Sequence, residues 1–241
     1  RSDVPLQRDT IGVNLSKMNA LGDFKYHEKR MDLDVSLPQV KLWIDGLLAT
    51  NRSAFKASAK AKNANIRKGQ YTFFFPDTLF AQTTLTTQDK NNYVNVKNLV
   101  LQLRDIGVTT KGWARRDKPT SDFEMDLDYD IKVPVSNDLF ALVPLQYAKE
   151  QRKTQLGGAV FMNGKVYGWL TDSGYPSVKM TAKWQKGTAQ YEGMPYGIDK
   201  LNMKLKGDMH FDNKTPSNLT IEQFDFRGAE SQLAMTGSIN N

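Results

Sequence analysis

From residue 175 to its end the chain alternates apolar and polar residues one by one. Leu201, Met203 and Leu205, then Met209 and Phe211, then Phe224 and Phe226, then Leu233 and Met235, stand between Lys, Asp, Glu, Gln and Thr. Successive side chains of a strand point to opposite faces, so this pattern predicts a sheet that is apolar on one side and polar on the other. Gly187, Gly193, Pro195, Gly197, Gly207, Pro216 and Gly228 fall between or at the bends of these runs, where strand punctuation belongs.

Upstream the same period recurs. Met31, Leu33, Val35 and Leu37 share one parity against Arg30, Asp32, Asp34 and Ser36; after Pro38, Leu42 and Ile44 resume on the other parity, which predicts an added residue or a new strand. Residues 1–22 are mixed, with one short strand expected over 10–15. The stretch AFKASAKAK favours helix by its Ala and Lys content, yet Phe55, Ala57, Ala59 and Ala61 alternate with Lys56, Ser58, Lys60 and Lys62 and predict a strand. A turn is expected at Pro76-Asp77, between one aromatic and one Thr-rich strand. Phe123, Met125, Leu127, Tyr129, Ile131 and Val133 make the cleanest alternation, a strand about 35 Å long. Asn163-Gly164 predicts a hairpin turn. Residues 91–116 resemble 219–241: Leu101, Leu103 and Arg104 match Phe224, Phe226 and Arg227, and Gly112 matches Gly237. Such a repeat implies stacking along an axis in place of one compact core.

The period changes once. Over 136–152, Ser136 is placed to cap a helix, Asp138 falls in its first turn, and Leu139, Leu142, Val143 and Tyr147 share a helical face, with Pro144 expected to kink or divide it. The fold class expected is therefore mainly β: a long, curved antiparallel sheet, as an open groove or an incompletely closed barrel or sandwich, with one short helix. Its parts are an N-terminal β segment (1–135), a helical insert (136–152) and a C-terminal β segment (153–241), together one continuous unit.

At 241 residues, 39% apolar and 24% charged, the chain has the composition of a folded protein. Its net charge of +7 attracts anions. Lys56, Lys60, Lys62, Lys111, Arg115, Arg116, Lys118, Lys179, Lys183 and Lys186 are spread through the strands with Trp113 and Trp184 among them. A nucleic-acid platform uses such residues, but lysine also fills solvent faces and edges of exposed sheets, and the second reading is preferred; no nucleic acid is expected as a partner. There is no Cys, and no apolar run of the 18 or so residues that span a bilayer. The chain opens on Arg1, which predicts a piece of a longer protein whose anchor lies outside it. His27 and His210 are the only histidines, each in a strand context. Asp126, Asp128 and Asp130 have calcium-loop spacing, but Ile131 stands where such a loop needs glycine. No enzyme, cofactor or metal is expected.

The order of Tyr175-Pro176, a lysine-rich strand, GTAQY, MPY, IDKLNMKL and the terminal LTIEQFDFRGAESQLAMTGSINN resembles the C-terminal region of the AsmA-like proteins of Gram-negative envelopes, from about Ser136 onward. The resemblance implies a bridge-like lipid carrier anchored in the inner membrane, with a β groove crossing the periplasm and a role in outer-membrane biogenesis. The groove lining expected is Phe123, Met125, Leu127, Tyr129, Ile131, Leu201, Met203, Leu205, Met209, Phe211, Phe224, Phe226, Leu233 and Met235, closed by the helix carrying Leu139, Leu142, Val143 and Tyr147. Met and Leu suit acyl chains because they adapt to disordered tails. The partners expected are phospholipid or another acyl-chain lipid, and the envelope membrane or its proteins. The alternative is a structural or protein-binding module with a sealed core.

Overall fold

The computed structural model describes residues 12–29, 32–88, 92–116, 122–171, 174–212 and 215–240. Arg30, Met31 and Lys118, and the start of the strand expected over 10–15, lie outside these.

Fourteen strands form one antiparallel sheet. They are β1 (Gly12–Glu28), β2 (Leu33–Ala49), β3 (Ala54–Ala61), β4 (Ala64–Lys68), β5 (Tyr71–Phe75), β6 (Leu79–Gln88), β7 (Tyr93–Leu103), β8 (Ile106–Arg115), β9 (Phe123–Val133), β10 (Thr154–Leu170), β11 (Ser177–Tyr191), β12 (Ile198–Met209), β13 (Asn218–Gly228) and β14 (Ser231–Asn240). β3 and β4 both pair with β2 in one register, Lys41 with Lys60 and Leu33 with Lys68, as a single strand interrupted at Lys62 and Asn63. β5 and β6 also continue each other across 76–78, pairing with β4 and β3 in registers that differ by one residue. The sheet is thus an up-and-down meander of twelve strand lines, each beside its neighbour in sequence, with β1 and β14 at the two edges. It does not close: no ladder joins β14 to β1.

Following the paired residues across the sheet shows how it stays one-sided. Val133 pairs with Ile106 through the continuing β8–β9 register and with Val160, Val160 with Trp184, Trp184 with Met203, and Met203 with Phe224. Where the alternation of a strand changes parity, the ladder shifts register: between Val96 and Leu99 in β7, between Ile221 and Phe224 in β13, and between Trp184 and Gly187 in β11. Each extra residue is taken up by a bulge, so the next apolar side chain returns to the same face. The parity change at Pro38 has the same cause. Leu33–Ala49 is one strand, and its bulge at Pro38 and Gln39 (φ 50°) is held by Asp23, whose carboxylate accepts the Gln39 N–H at 2.9 Å.

Several expectations change. The first strand runs seventeen residues, Gly12–Glu28, far beyond 10–15. Asn163-Gly164 is no hairpin turn; it lies in the middle of β10, paired on both sides. The repeat is present as the β7–β8 and β13–β14 hairpins, and Gly112 and Gly237 are equivalent, opposite Val96 and Ile221. Aligned on their bulges, however, Leu99 and Leu101 match Phe224 and Phe226, two residues from the sequence match.

The helical insert between β9 and β10 is two pieces, as Pro144 dictates: a 3-10 segment Ser136–Leu142, then Leu145–Tyr147 as 3-10 leading into a one-turn helix, Ala148–Arg152. Leu139, Leu142, Val143 and Tyr147 therefore do not form one helical face. Ser136 is no cap; it is fully buried, and its hydroxyl donates to the Gly158 carbonyl at 2.7 Å. Asn137 accepts the Leu156 N–H at 3.2 Å, and the Gln146 amide reaches the backbone of Gln70 and Thr72, covering the free edge of β5. The insert thus occupies the notch left where β7, β8 and β9 stop short. There Ala64, Phe75 and Leu103 form the small buried core, with Leu37, Ile66, Phe73, Leu79 and Ala141 packed against it.

Replacing the buried Ser136 by Ala leaves the half-buried Gly158 carbonyl without this donor. The expected cost is about 1–3 kcal/mol, read as a lowered urea midpoint with an unchanged slope, whereas Ser231→Ala on the exposed edge strand is expected to leave the midpoint in place.

Candidate functional site

An apolar face runs across the whole sheet. Of the fourteen groove residues expected from the sequence, thirteen lie on this face by ladder pairing: Phe123, Met125, Leu127, Tyr129 and Ile131 from β9; Leu201, Met203, Leu205 and Met209 from β12; Phe224 and Phe226 from β13; Leu233 and Met235 from β14. Phe211 lies just past the end of β12, edge-on to Tyr175 with ring centroids 6.4 Å apart. Between these strands stand residues the sequence reading passed over: Val160, Met162 and Val166 of β10, and Val178, Met180 and Trp184 of β11. The same face continues through Leu99 and Leu101 of β7 to Phe55, Leu42 and Ile44. In β10 the alternation is interrupted by Phe161 and Tyr167 on the opposite face and by Gly164 on this one.

Little is stacked on this face. Among the described residues only nine hydrophobic side chains are buried, and four of these are alanines. Most residues along β9 and β10 are half-buried, as expected of side chains that touch their neighbours in the sheet but have nothing above them. The chain exposes 16377 Å². A compact protein of 27.3 kDa exposes about 11,000 Å², and the uncovered face of the sheet contributes to the excess.

Glycines let the large side chains lie low. Tyr129 pairs across the ladder with Gly164, and its hydroxyl passes over β10 to donate to the Lys179 carbonyl at 3.2 Å. Burial raises the Tyr129 phenol pKa above its ordinary value of 10.0. Met180 leans over Gly207, its Sδ-linked methyl about 3.5 Å from where a Cβ would stand. The Trp184 indole N–H donates to the Gly157 carbonyl at 3.0 Å, and a Cβ on Gly187 would meet this nitrogen at 2.9 Å. Side chains that lie flat leave room above them.

The opposite face is ionic. Lys165 lies 2.6 Å from Asp126 and 3.7 Å from Asp128, Lys132 is 3.5 Å from Asp130, and Lys179 is 3.5 Å from Asp208. The three aspartates are thus spent on ion pairs, Asp126 and Asp128 across to β10 and Asp130 along β9 itself; spaced along one strand, they do not converge, and no group of metal-ligating side chains occurs among the described residues. Lys204 lies 2.5 Å from one Glu222 oxygen as an ion pair without hydrogen-bond alignment, and Lys206 reaches the other. Together they hold the Glu222 carboxyl below its ordinary 4.5. Trp113 stacks on Tyr93 on this polar face, at 5.9 Å, while Trp184 belongs to the apolar one, so the tryptophans and lysines do not build one platform.

Both histidines have partners that the sequence did not reveal. His27 pairs with Asp34, which also takes Arg67, in an exposed ladder across β1, β2 and β4. Ser177 Oγ lies 3.0 Å from His210 Nδ1, and His210 Nε2 lies 3.3 Å from Asp208. Serine, histidine and aspartate in contact are the parts of a nucleophilic triad. Here Asp208 also accepts the Tyr167 hydroxyl at 3.1 Å and faces Lys179, so its charge is divided among several donors. We read the group as a lock joining β10, β11 and β12 at one end.

The insert lies along the other end of the strands, against β5, β9 and β10. Leu139 and Val143 are half-buried, while Leu142 and Tyr147 are exposed. Among the described residues no helix is long and apolar enough to cross a membrane. No protein-family model, curated protein or solved structure matches this chain.

Two measurements test this geometry. Gly164→Ala places a Cβ 1.9 Å from the Lys179 carbonyl, whereas in Gly207→Ala it meets the Met180 side chain at 3.5 Å and the Asn218 carbonyl at 3.6 Å, both ordinary contact distances. The first is expected to cost more than about 2 kcal/mol in chemical denaturation and the second almost nothing. Glu222 brings stability that is full above its ordinary pKa and is lost as pH falls through the lowered one. Glu222→Gln is therefore expected to unfold earlier than the parent at pH 7, with the gap closing as acidification passes below the ordinary 4.5 and through the lowered pKa.

Proposed function

We propose that the apolar face is a trough for the acyl chains of phospholipid or a similar lipid, and that the protein works without enzymatic chemistry as a segment of an AsmA-like carrier in the Gram-negative envelope. The observation that carries this reading is the uncovered apolar face itself. Twelve strand lines at about 4.8 Å make a strip roughly 50 Å long, measured along the sheet. A strip of this kind held open to water needs an occupant, and each methylene it removes from water is worth about 0.8 kcal/mol.

Chemistry favours tails over a protein partner. The face is built of Met, Leu, Ile and Phe with glycines between, and it carries few polar groups that would fix the direction of a guest; adaptable side chains of this kind suit disordered chains. The ionic opposite face keeps the sheet in water, which fits a periplasmic setting, with the inner-membrane anchor supplied by a segment outside this chain. The closed-core scaffold loses its main support because the sheet is open.

The test is uptake of a fluorescent phospholipid by delipidated protein. Saturable uptake is expected, weakened at least tenfold in a Met203→Asp, Leu205→Asp double variant whose far-ultraviolet spectrum matches the parent. Equal uptake by parent and variant, or none by the parent, would overturn the reading.

A further inference from the structure

The polar face is ordered in rows that cross the strands by ladder pairing. In one row Lys111, Asp128, Lys165 and Lys179 follow one another from β8 to β11. In the next stand Thr109, Asp130, Asn163, Thr181 and Lys206, from β8 to β12. A third holds Lys132, Phe161, Lys183 and Lys204. Lysine thus stands directly opposite lysine twice, Lys165 with Lys179 and Lys183 with Lys204, and the bulge of β7 adds a further case by setting Lys97 and Asn98 together opposite Lys111. Like charges opposite one another cost a sheet stability. Among the described residues, Lys97, Lys111 and Lys183 form no ion pair, and the side chains of Thr109, Asn163 and Thr181 form no hydrogen bond. The first two rows line a recess of about 610 Å³ that reaches from Lys97 to Lys179, and this joins a second, of about 290 Å³, that continues through Asn163 and Lys179 to Lys206 and Asn218.

We propose that these joined recesses bind a carboxylated polysaccharide laid across the strands. From β7 to β13 they span six strand spacings of about 4.8 Å, roughly 30 Å, which asks for an extended guest. The lysines without partners take its carboxylates, and Thr109, Asn163 and Thr181 take its hydroxyls. Asn163 stands at the centre, which gives this residue, polar and without a partner in the middle of β10, a task. Asp128 and Asp130 decide between polymers. They repel a nucleic acid, which carries a phosphate on every unit, whereas the hydroxyls of a sugar donate to them. The one aromatic residue touching the recess is Tyr129, whose ring lies on the opposite face, so bases would have nothing to stack on. The inference concerns the polar face and does not depend on what the apolar face binds.

Titration calorimetry of the purified protein with polygalacturonate oligomers tests it, with dextran and single-stranded DNA of similar length as comparisons. Saturable binding of polygalacturonate is expected, at least tenfold tighter than that of the DNA and absent with neutral dextran. Lys97→Gln plus Lys111→Gln removes two exposed cations without orphaning a carboxylate and is expected to weaken binding about fivefold, the order that two exposed ion contacts are worth. Lys68→Gln plus Lys149→Gln, the same change of net charge on β4 and the insert, is expected to leave it unchanged. No binding by the parent, DNA bound as tightly as the polysaccharide, or an equal loss in both pairs of variants overturns the proposal, the last by reducing the attraction to net charge.

Discussion

In a sheet of twelve strand lines, one unmatched residue anywhere would send every later apolar side chain of its strand to the wrong face. The fold of this chain depends on keeping that phase. It does so by local correction: wherever the alternation slips, as between Val96 and Leu99 or between Ile221 and Phe224, the ladder slips with it and a bulge absorbs the difference. Asp23 gives one such bulge a fixed partner by accepting the Gln39 N–H, and Asp45 does the same for Lys17 at 3.2 Å. Bulges also add local twist, so the devices that preserve phase bend the sheet as well.

This architecture moves the source of stability. With little stacked on the apolar face, side chains are covered mainly by neighbours in the same sheet, and a deeper core forms only at the notch, where Ala64, Phe75 and Leu103 meet the insert. Backbone ladders and cross-strand pairs carry the rest. On the polar face these pairs are ionic, but their partners are substantially exposed, Lys165 and Asp126 at 38% each, so any one pair contributes little. The insert has a second task there, since Gln146 satisfies backbone groups of β5 that no strand reaches.

Much of this was legible in the residues, and the failures have physical causes. Period-two alternation identified the strands even in AFKASAKAK, where propensity alone points to helix, because Phe55 and its alanines complete a shared face with Leu42 and Ile44. Asn163-Gly164 misled because a local turn signal competes with a long-range need: Tyr129 lies across the glycine, and a side chain there would strike the next strand. The insert misled because Pro144 and the geometry of the notch favour tight 3-10 turns over one amphipathic helix. The partnership of Ser177 with His210 could not be read at all, since 33 positions separate them and only the β11–β12 ladder brings them together.

The meander has a consequence for how such a chain comes into being. Each strand line takes its partner from the stretch made just before it, so no early segment has to wait, exposed, for a distant one to arrive. A polypeptide delivered N-terminus first, whether from a ribosome or through a narrow pore, can lay down this sheet hairpin by hairpin, and loop-closure entropy stays low at every addition. By the same logic, duplication or loss of one hairpin changes the width of the sheet by two strands without re-routing any connection.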